Sequence, residues 1–150
     1  MTRDLPDALA EAEARFARGG RPWSADCRRV YERLLASPNP VKAYALVEAL
    51  GAGGRAAYPA TVYRALAALE QAGLVHRIAS LNAFAACTGG DHGHVVAFMI
   101  CDRCGGAQET GVARDASDGA AKSGFEVRSS VIELRGFCRT CTGATEPEST

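Results

Sequence analysis

Pro59-Ala60-Thr61-Val62-Tyr63-Arg64-Ala65-Leu66-Ala67-Ala68-Leu69-Glu70-Gln71-Ala72-Gly73 decides how the first half of the chain folds. Pro59 suits the first position of a helix, where its missing N–H costs nothing, and Gly73 closes it. At about 100° per residue, Val62, Leu66 and Leu69 fall on one narrow stripe. Arg64 lies nearly opposite, with Ala67 and Ala68 on either side of it and Tyr63 and Thr61 at the flanks. A solvated face ordinarily carries Glu and Lys, whereas this one carries small residues around one arginine and one tyrosine. Two readings stay open from this helix alone. One is a face that approaches a surface closely, with Arg64 reaching a guanine or a phosphate in a major groove; the other is a core helix with an incidental outward arginine. The next segment bears on the choice. Leu74-Val75-His76-Arg77-Ile78-Ala79 has strand character, Leu81-Asn82 marks a turn, and Ala83-Phe84-Ala85-Ala86-Cys87 returns as a second short strand. Helices followed by such a hairpin make a winged helix-turn-helix, with the 59–72 helix in the recognition position and the hairpin as wing.

Upstream, residues 5–18 predict a helix with Leu5, Leu9, Ala12 and Phe16 along one face, stopped by Gly19-Gly20. Ser24 is an N-cap for a second helix, whose buried stripe is Val30, Leu34 and Leu35. Ser37-Pro38-Asn39-Pro40 breaks the chain and restarts it, with Asn39 as N-cap and Pro40 at the first helical position. The third helix runs through Tyr44, Val47 and Leu50 to Gly51, and the glycine-rich stretch 51–54 follows as a loop.

Downstream, two cysteine pairs organise the second half: Cys101-Asp102-Arg103-Cys104 and, after 33 intervening residues, Cys138-Arg139-Thr140-Cys141. Each has the spacing of a zinc knuckle, in which two thiolates from one tight turn take two corners of a tetrahedron, and two such turns make a closed structural site. Gly105-Gly106 and Gly143 supply backbone that can curl around a metal. Before the first pair, Gly89-Gly90-Asp91-His92-Gly93-His94 predicts a hinge, and Val95 to Ile100 a buried strand. Residues 112–123 suggest a helix and 125–135 a strand leading to the second pair, while the tail from Thr142 has no apolar pattern and predicts disorder.

The totals bound the class. The chain has 150 residues, 47% of them hydrophobic, and no apolar run long enough for a membrane span. Residues 1–87 carry 11 Lys/Arg against 8 Asp/Glu, and residues 88–150 carry 6 against 9, so the first half is the one suited to a polyanion. The N-terminus resembles neither a secretory signal nor a transit peptide, which predicts a cytoplasmic protein with reduced cysteines. Neither His-Glu-x-x-His nor His-x-Glu…Cys-x-x-Cys occurs, which argues against a zinc hydrolase or deaminase.

A second set of donors gathers near the middle. His76, His92 and His94 are the only histidines, Cys87 lies among them, and Glu109 sits five residues beyond Cys104. Nitrogen, sulfur and carboxylate donors together suit zinc, and the thiolate disfavours manganese. Each residue also has an ordinary reading as a surface or core side chain, and composition does not choose between His92 and His94.

Thr61-Val62-Tyr63-Arg64-Ala65-Leu66, the His76…Cys87 wing and Ile100-Cys101-Asp102-Arg103-Cys104-Gly105 together resemble the ferric uptake regulator family, and within it the zinc uptake branch. The resemblance covers roughly residues 24–141. It implies an α+β fold: an N-terminal winged helix-turn-helix DNA-binding domain over 1–87, then a small α/β dimerisation domain over 88–150 stapled by a four-cysteine zinc site. It implies a bacterial homodimer that binds a palindromic double-stranded DNA operator and represses zinc-uptake genes when zinc is plentiful, with no membrane partner and no catalysis. The matching residues imply two zinc ions per monomer. Cys101, Cys104, Cys138 and Cys141 match the structural site; His76, Cys87, His94 and Glu109 match the sensing site, His94 fitting better than His92. Thr61, Tyr63 and Arg64 match the DNA-contacting positions. An iron-, manganese-, peroxide- or thiol-redox-responsive member of the same family is the alternative. The family's Thr-x-Gln-Arg stands here as Ser24-Ala25-Asp26-Cys27-Arg28, so no DNA contact is carried to that stretch, and Cys27 reads as a helix-face passenger.

Overall fold

The computed structural model describes residues 4–51, 58–87, 96–110, 115–127 and 130–143. The chain divides into two compact units, Met1–Cys87 and Thr88–Thr150.

Among its described residues, the first unit is built from four α-helices and a small sheet. Helix α1 (Leu5–Arg18) buries Ala8, Ala12 and Phe16, while Leu5, expected on that face, is 48% exposed at the first turn. The ring of Phe16 meets Trp23 edge-on, with centroids 4.8 Å apart. Helix α2 (Ala25–Leu35) starts where Ser24 predicts, its Oγ accepting the Cys27 N–H at 3.1 Å. Val30 and Leu34 are buried as expected, and Tyr31 and Cys27 join them. Cys27 is therefore not a passenger on a helix face; it is a small apolar member of the core.

The third helix departs from the sequence reading at its start. Val41–Lys42 form a short strand, β1, and helix α3 begins only at Ala43 and ends at Gly51. Pro40 thus precedes a strand, because β1 finds partners far along the chain: Val41 pairs with Phe84 and Lys42 with Ala83. Helix α3 buries Ala43 and Leu46 and leaves Tyr44 exposed.

Helix α4 (Pro59–Gln71) buries Val62, Ala65, Leu66 and Leu69. Each large apolar side chain buried this way stabilises by about 1.5–3 kcal/mol relative to exposure. Strands β2 (Val75–Ile78) and β3 (Ala83–Ala86) pair antiparallel, joined through a 3-10 turn at Ala79–Leu81. Asn82 takes the left-handed conformation, φ 47°, which asparagine tolerates better than most residues. With the sheet order β1-β3-β2, α2, α3 and α4 followed by the hairpin form a winged helix-turn-helix.

The second unit is a three-stranded sheet of order β5-β4-β6 with short helices. Strand β4 (Val96–Cys101) is the central strand, buried as expected except at Met99, which is 44% exposed. It pairs antiparallel with β5 (Ala107–Thr110) and parallel with β6 (Val131–Gly136). A parallel pair needs a crossover, and helix α5 (Asp115–Lys122) occupies that stretch of chain. Strand β5 is not announced by its composition: Ala107-Gln108-Glu109-Thr110 is short and recruited by β4. Of the strand expected over 125–135, the described part that forms is β6; Phe125 to Val127 are irregular, with Phe125 exposed. Helix α5 covers the described part of the 112–123 helix. The expected 51–54 loop beyond Gly51, the hinge over 89–94, and the tail beyond Gly143 lie outside the described residues. Among the described residues, no helix is long and apolar enough to cross a membrane.

Candidate metal centre and helix face

The parallel register of β4 and β6 is what builds the cysteine cluster. Cys101 at the end of β4 stands opposite Gly136 at the end of β6, so both cysteine turns leave the same end of the sheet. The first turn is closed by the Cys101 N–H donating to the Gly106 carbonyl and the Gly105 N–H donating to the Cys101 carbonyl, both at 2.9 Å. Gly105 has φ 70°, a conformation that a side chain would strain. The second turn is stitched to the first by the Asp102 N–H donating to the Gly136 carbonyl at 2.8 Å. Cys138 then caps helix α6 (Arg139–Thr142), a single helical turn absent from the sequence reading, which brings Cys141 back beside Cys138. Thr142 Oγ1 donates to the Cys138 carbonyl at 2.8 Å and holds that turn closed.

All four sulfurs lie within 4.8 Å of one another, and Cys104 Sγ is 3.9 Å from Cys138 Sγ. Tetrahedral sulfur coordination with ~2.3 Å zinc–sulfur bonds requires sulfurs roughly 3.8 Å apart. The donor set and spacing therefore fit one tetrahedral soft cation, and the cluster is a four-cysteine metal-binding site. None of the six cysteines is in a disulfide.

Four thiols this close cannot all ionise on their own. N–H groups of Cys104 and then Cys138, the latter 3.3 Å from the sulfur, hold the Cys101 thiol down at about 6 despite its burial. The Cys141 thiol is pushed up to about 12, first by its hydrogen bond with Cys138, then by burial and by the neighbouring Cys101 and Cys104. One sulfur is thus poised as an anion, and the last to ionise needs a cation beside it. Around the cluster, Arg103 Nη1 donates to the Cys141 carbonyl at 3.2 Å, and Arg135 donates twice to Asp102 Oδ1, at 2.9 and 2.6 Å.

The other expected metal ligands are only partly placed. His76, in the middle of β2, stands opposite Ala85, and its Nε2 is buried. Cys87 donates its N–H to the Leu74 carbonyl at 2.8 Å, continuing the ladder, so it shares the face of Ala85. His76 and Cys87 are therefore diagonal neighbours on one face of the wing, with backbones about 7–8 Å apart. Both are half-buried. Glu109 belongs to the second unit, on β5 opposite Phe98, and is also half-buried. His92 and His94 lie outside the described residues.

On α4 the outward stripe is Ala60, Tyr63, Arg64 and Ala67, all exposed, with Thr61 half-buried at its edge. Arg64 bends back so that Nε donates weakly to the Ala60 carbonyl at 3.4 Å. Tyr58 and Tyr44, exposed at 70% and 66%, add two aromatic rings to the surface of this unit; the sequence reading gives Tyr44 no surface role and omits Tyr58. Their positions beside apolar neighbours hide the exposure.

The model of the ferric uptake regulator family matches residues 28–135, spanning the wing and the first cysteine pair. The chain belongs to this family. Within the family its similarity is to zinc uptake regulators. It is 35% identical over 139 residues to the zinc uptake regulation protein of Escherichia coli (strain K12), covering 90% of this chain and 81% of that one. Among solved structures it is similar to a zinc uptake regulator complexed with zinc and DNA, at 33% identity and TM-score 0.81 over 93% of this chain and 95% of the other. It is also similar to holo XcZur, at 32% identity and TM-score 0.76, covering 93% and 99%. Membership makes the chain a regulator rather than an enzyme.

Proposed function

We propose that this chain is a zinc-responsive transcriptional repressor of zinc-uptake genes that binds a palindromic operator as a homodimer. The observation that carries the reading is the face of α4: a helix fully buried on one side that presents Tyr63 and Arg64 between the small residues Ala60 and Ala67. Small neighbours let the backbone sit deep in a major groove, where Arg64 can pair with a guanine edge and Tyr63 and Thr61 can contact backbone or base. A similar zinc uptake regulator is solved in complex with zinc and DNA, which supports DNA as the partner.

Cys101, Cys104, Cys138 and Cys141 are assigned a permanent structural zinc. His76, Cys87, His94 and Glu109 are assigned a second, regulatory zinc. A divalent cation there supplies a link between donors, with no chemistry of bond making. His76 and Cys87 contribute a nitrogen and a sulfur from the wing, and Glu109 a carboxylate from β5, so filling the set restrains the winged helix relative to the second unit. That restraint fixes the separation of two recognition helices in a dimer, which must match about one helical turn of DNA. Coupling is only as strong as the difference in cation affinity between the restrained and unrestrained states. The dimer reading is supported by β6, an edge strand that leaves Val131 and Leu134 exposed and is followed by exposed Phe137. Exposed apolar side chains on and just after an edge strand, here beside Glu133 and Arg135, give a partner surface to cover.

The test is zinc content per monomer before and after mild chelation, with binding to a palindromic operator followed in parallel. Two zinc ions falling to one, with operator binding lost and then restored by zinc, is expected. A single retained zinc with operator binding indifferent to chelation would overturn the regulatory site.

A further inference from the structure

We propose that Arg103 and Arg135 are positioning residues of the cysteine cluster: each ties one cysteine turn to its surroundings, and together they slow release of the bound cation. The proposal rests on the structural-metal assignment above. Neither side chain offers a ligand atom, because a guanidinium has no lone pair to give.

The cluster is two separate turns, contributed by segments more than thirty residues apart in sequence. Release of a cation begins when one turn swings away and a thiolate lets go. What decides the rate is how often that thiolate returns before the next one leaves, which depends on its local concentration near the site. Two side-chain links oppose the swing. Arg103 sits inside the first turn and donates to the carbonyl of Cys141, the last ligand of the second. Arg135, anchored on β6 one residue before Gly136, donates Nε and Nη2 to the same oxygen of Asp102 inside the first turn. Backbone pairing of Asp102 with Gly136 lies alongside. The two arginines therefore brace the first turn from two directions, one toward the second turn and one toward the sheet.

Charge gives a second reason. Four thiolates around a divalent cation carry net negative charge. Within segments 101–104 and 135–141 stand Arg103, Arg135 and Arg139 against the single carboxylate of Asp102. The cations offset the filled cluster. An isolated exposed ion pair does little for folding stability, and Arg135–Asp102 is exposed enough to be largely screened. Its effect belongs to the rate of opening at the cluster, where a small restraint acts on every attempted departure.

The experiment uses the full chain loaded with zinc, mixed with excess chromogenic chelator, and follows the slow, cluster-bound zinc. Arg103→Gln is expected to accelerate release about twofold to fivefold, the range of a single exposed polar link. Arg103→Lys, which keeps the charge, is expected to fall between that variant and the wild type, and the Arg103→Gln effect should shrink in high salt. Asp102→Asn and Arg135→Gln should each accelerate release, and the double variant should be no faster than the faster single, since both remove one link. A general loss of packing would instead give additive effects and no salt dependence. Far-UV circular dichroism identifies a variant that fails to fold, in which case Arg103→Lys and the charge exchange Asp102→Arg with Arg135→Asp take its place. Release at the wild-type rate in both Arg103→Gln and Arg135→Gln overturns the proposal alone. A wild-type chain that holds no zinc at the four cysteines overturns the metal assignment and this proposal together.

Discussion

Arg64 stands on the outward stripe of α4 between two alanines, so truncating it removes a donor without touching the core. Arg64→Ala should weaken operator binding by about 1–3 kcal/mol and relax the preference for one base, read by titrating a labelled operator and its single-base variants. An equal loss on every sequence would make Arg64 a phosphate contact instead. Cys87 bears on a different property. Cys87→Ser should abolish zinc-dependent operator binding while leaving the dimer intact, measured by sedimentation beside a binding titration; dimer loss would contradict the division into structural and regulatory sites. Cys27 separates packing from ligation. It is 5% exposed within the core of the first unit, so Cys27→Ser buries a hydroxyl among apolar side chains and should cost about 1–3 kcal/mol of unfolding free energy in urea. Zinc content should not change.

At the scale of elements, β6 is exposed in a way that a lone domain does not tolerate well. It lies at the edge of its sheet, with Val131 and Leu134 accessible to solvent. A charge there is a common natural defence against pairing. Leu134→Lys should therefore shift the protein toward monomer in sedimentation equilibrium and weaken operator binding, while the slow zinc at the cysteines stays. An unchanged dimer would place the interface away from this strand. The helices α1, α2 and α4 were legible because their signals are local: Ser24 as a cap, Pro59 at a first turn, and apolar residues every three or four positions. The short β1 was not. Val41-Lys42 carries too little pattern of its own, and only its partners Phe84 and Ala83, more than forty residues on, make it a strand. Strand β5 is recruited by β4 in the same way.

For the whole molecule, acidity should act through the cysteine cluster before it acts on the core, since no Asp, Glu, Lys or Arg is among the buried residues described. The Cys101 thiol, held down at about 6, favours the folded cluster at pH values above the ordinary thiol range, and that contribution fades as pH falls through about 6. The Cys141 thiol, pushed up to about 12, must give up a proton when a cation enters. Zinc uptake by chelated protein should therefore release protons and weaken as pH falls, which a titration in two buffers of different protonation heat reads directly. Uptake without proton release would mean that the thiols are not the ligands.

Spacing alone marked out the two cysteine pairs, and the order of helices followed by a hairpin marked out the recognition helix and the wing, because each signal is complete within a short run of neighbours. Similarity of those motifs to a known family implied a sensing role for the second set of donors and the choice of His94 over His92. Tertiary structure was needed for whatever depends on residues far apart in sequence. The parallel register of β4 and β6 brings Cys101 and Gly136 level and so collects four sulfurs within 4.8 Å of one another. Packing of α3 turns Ala43 and Leu46 inward and leaves Tyr44 out, which no periodicity of that apolar helix could decide. The links from Arg103 to Cys141 and from Arg135 to Asp102 span the same gap in the chain. Periodicity encodes which face of an element is buried, but which distant element lies against it is settled by the packing of the whole, and the cluster is built from that second kind of contact.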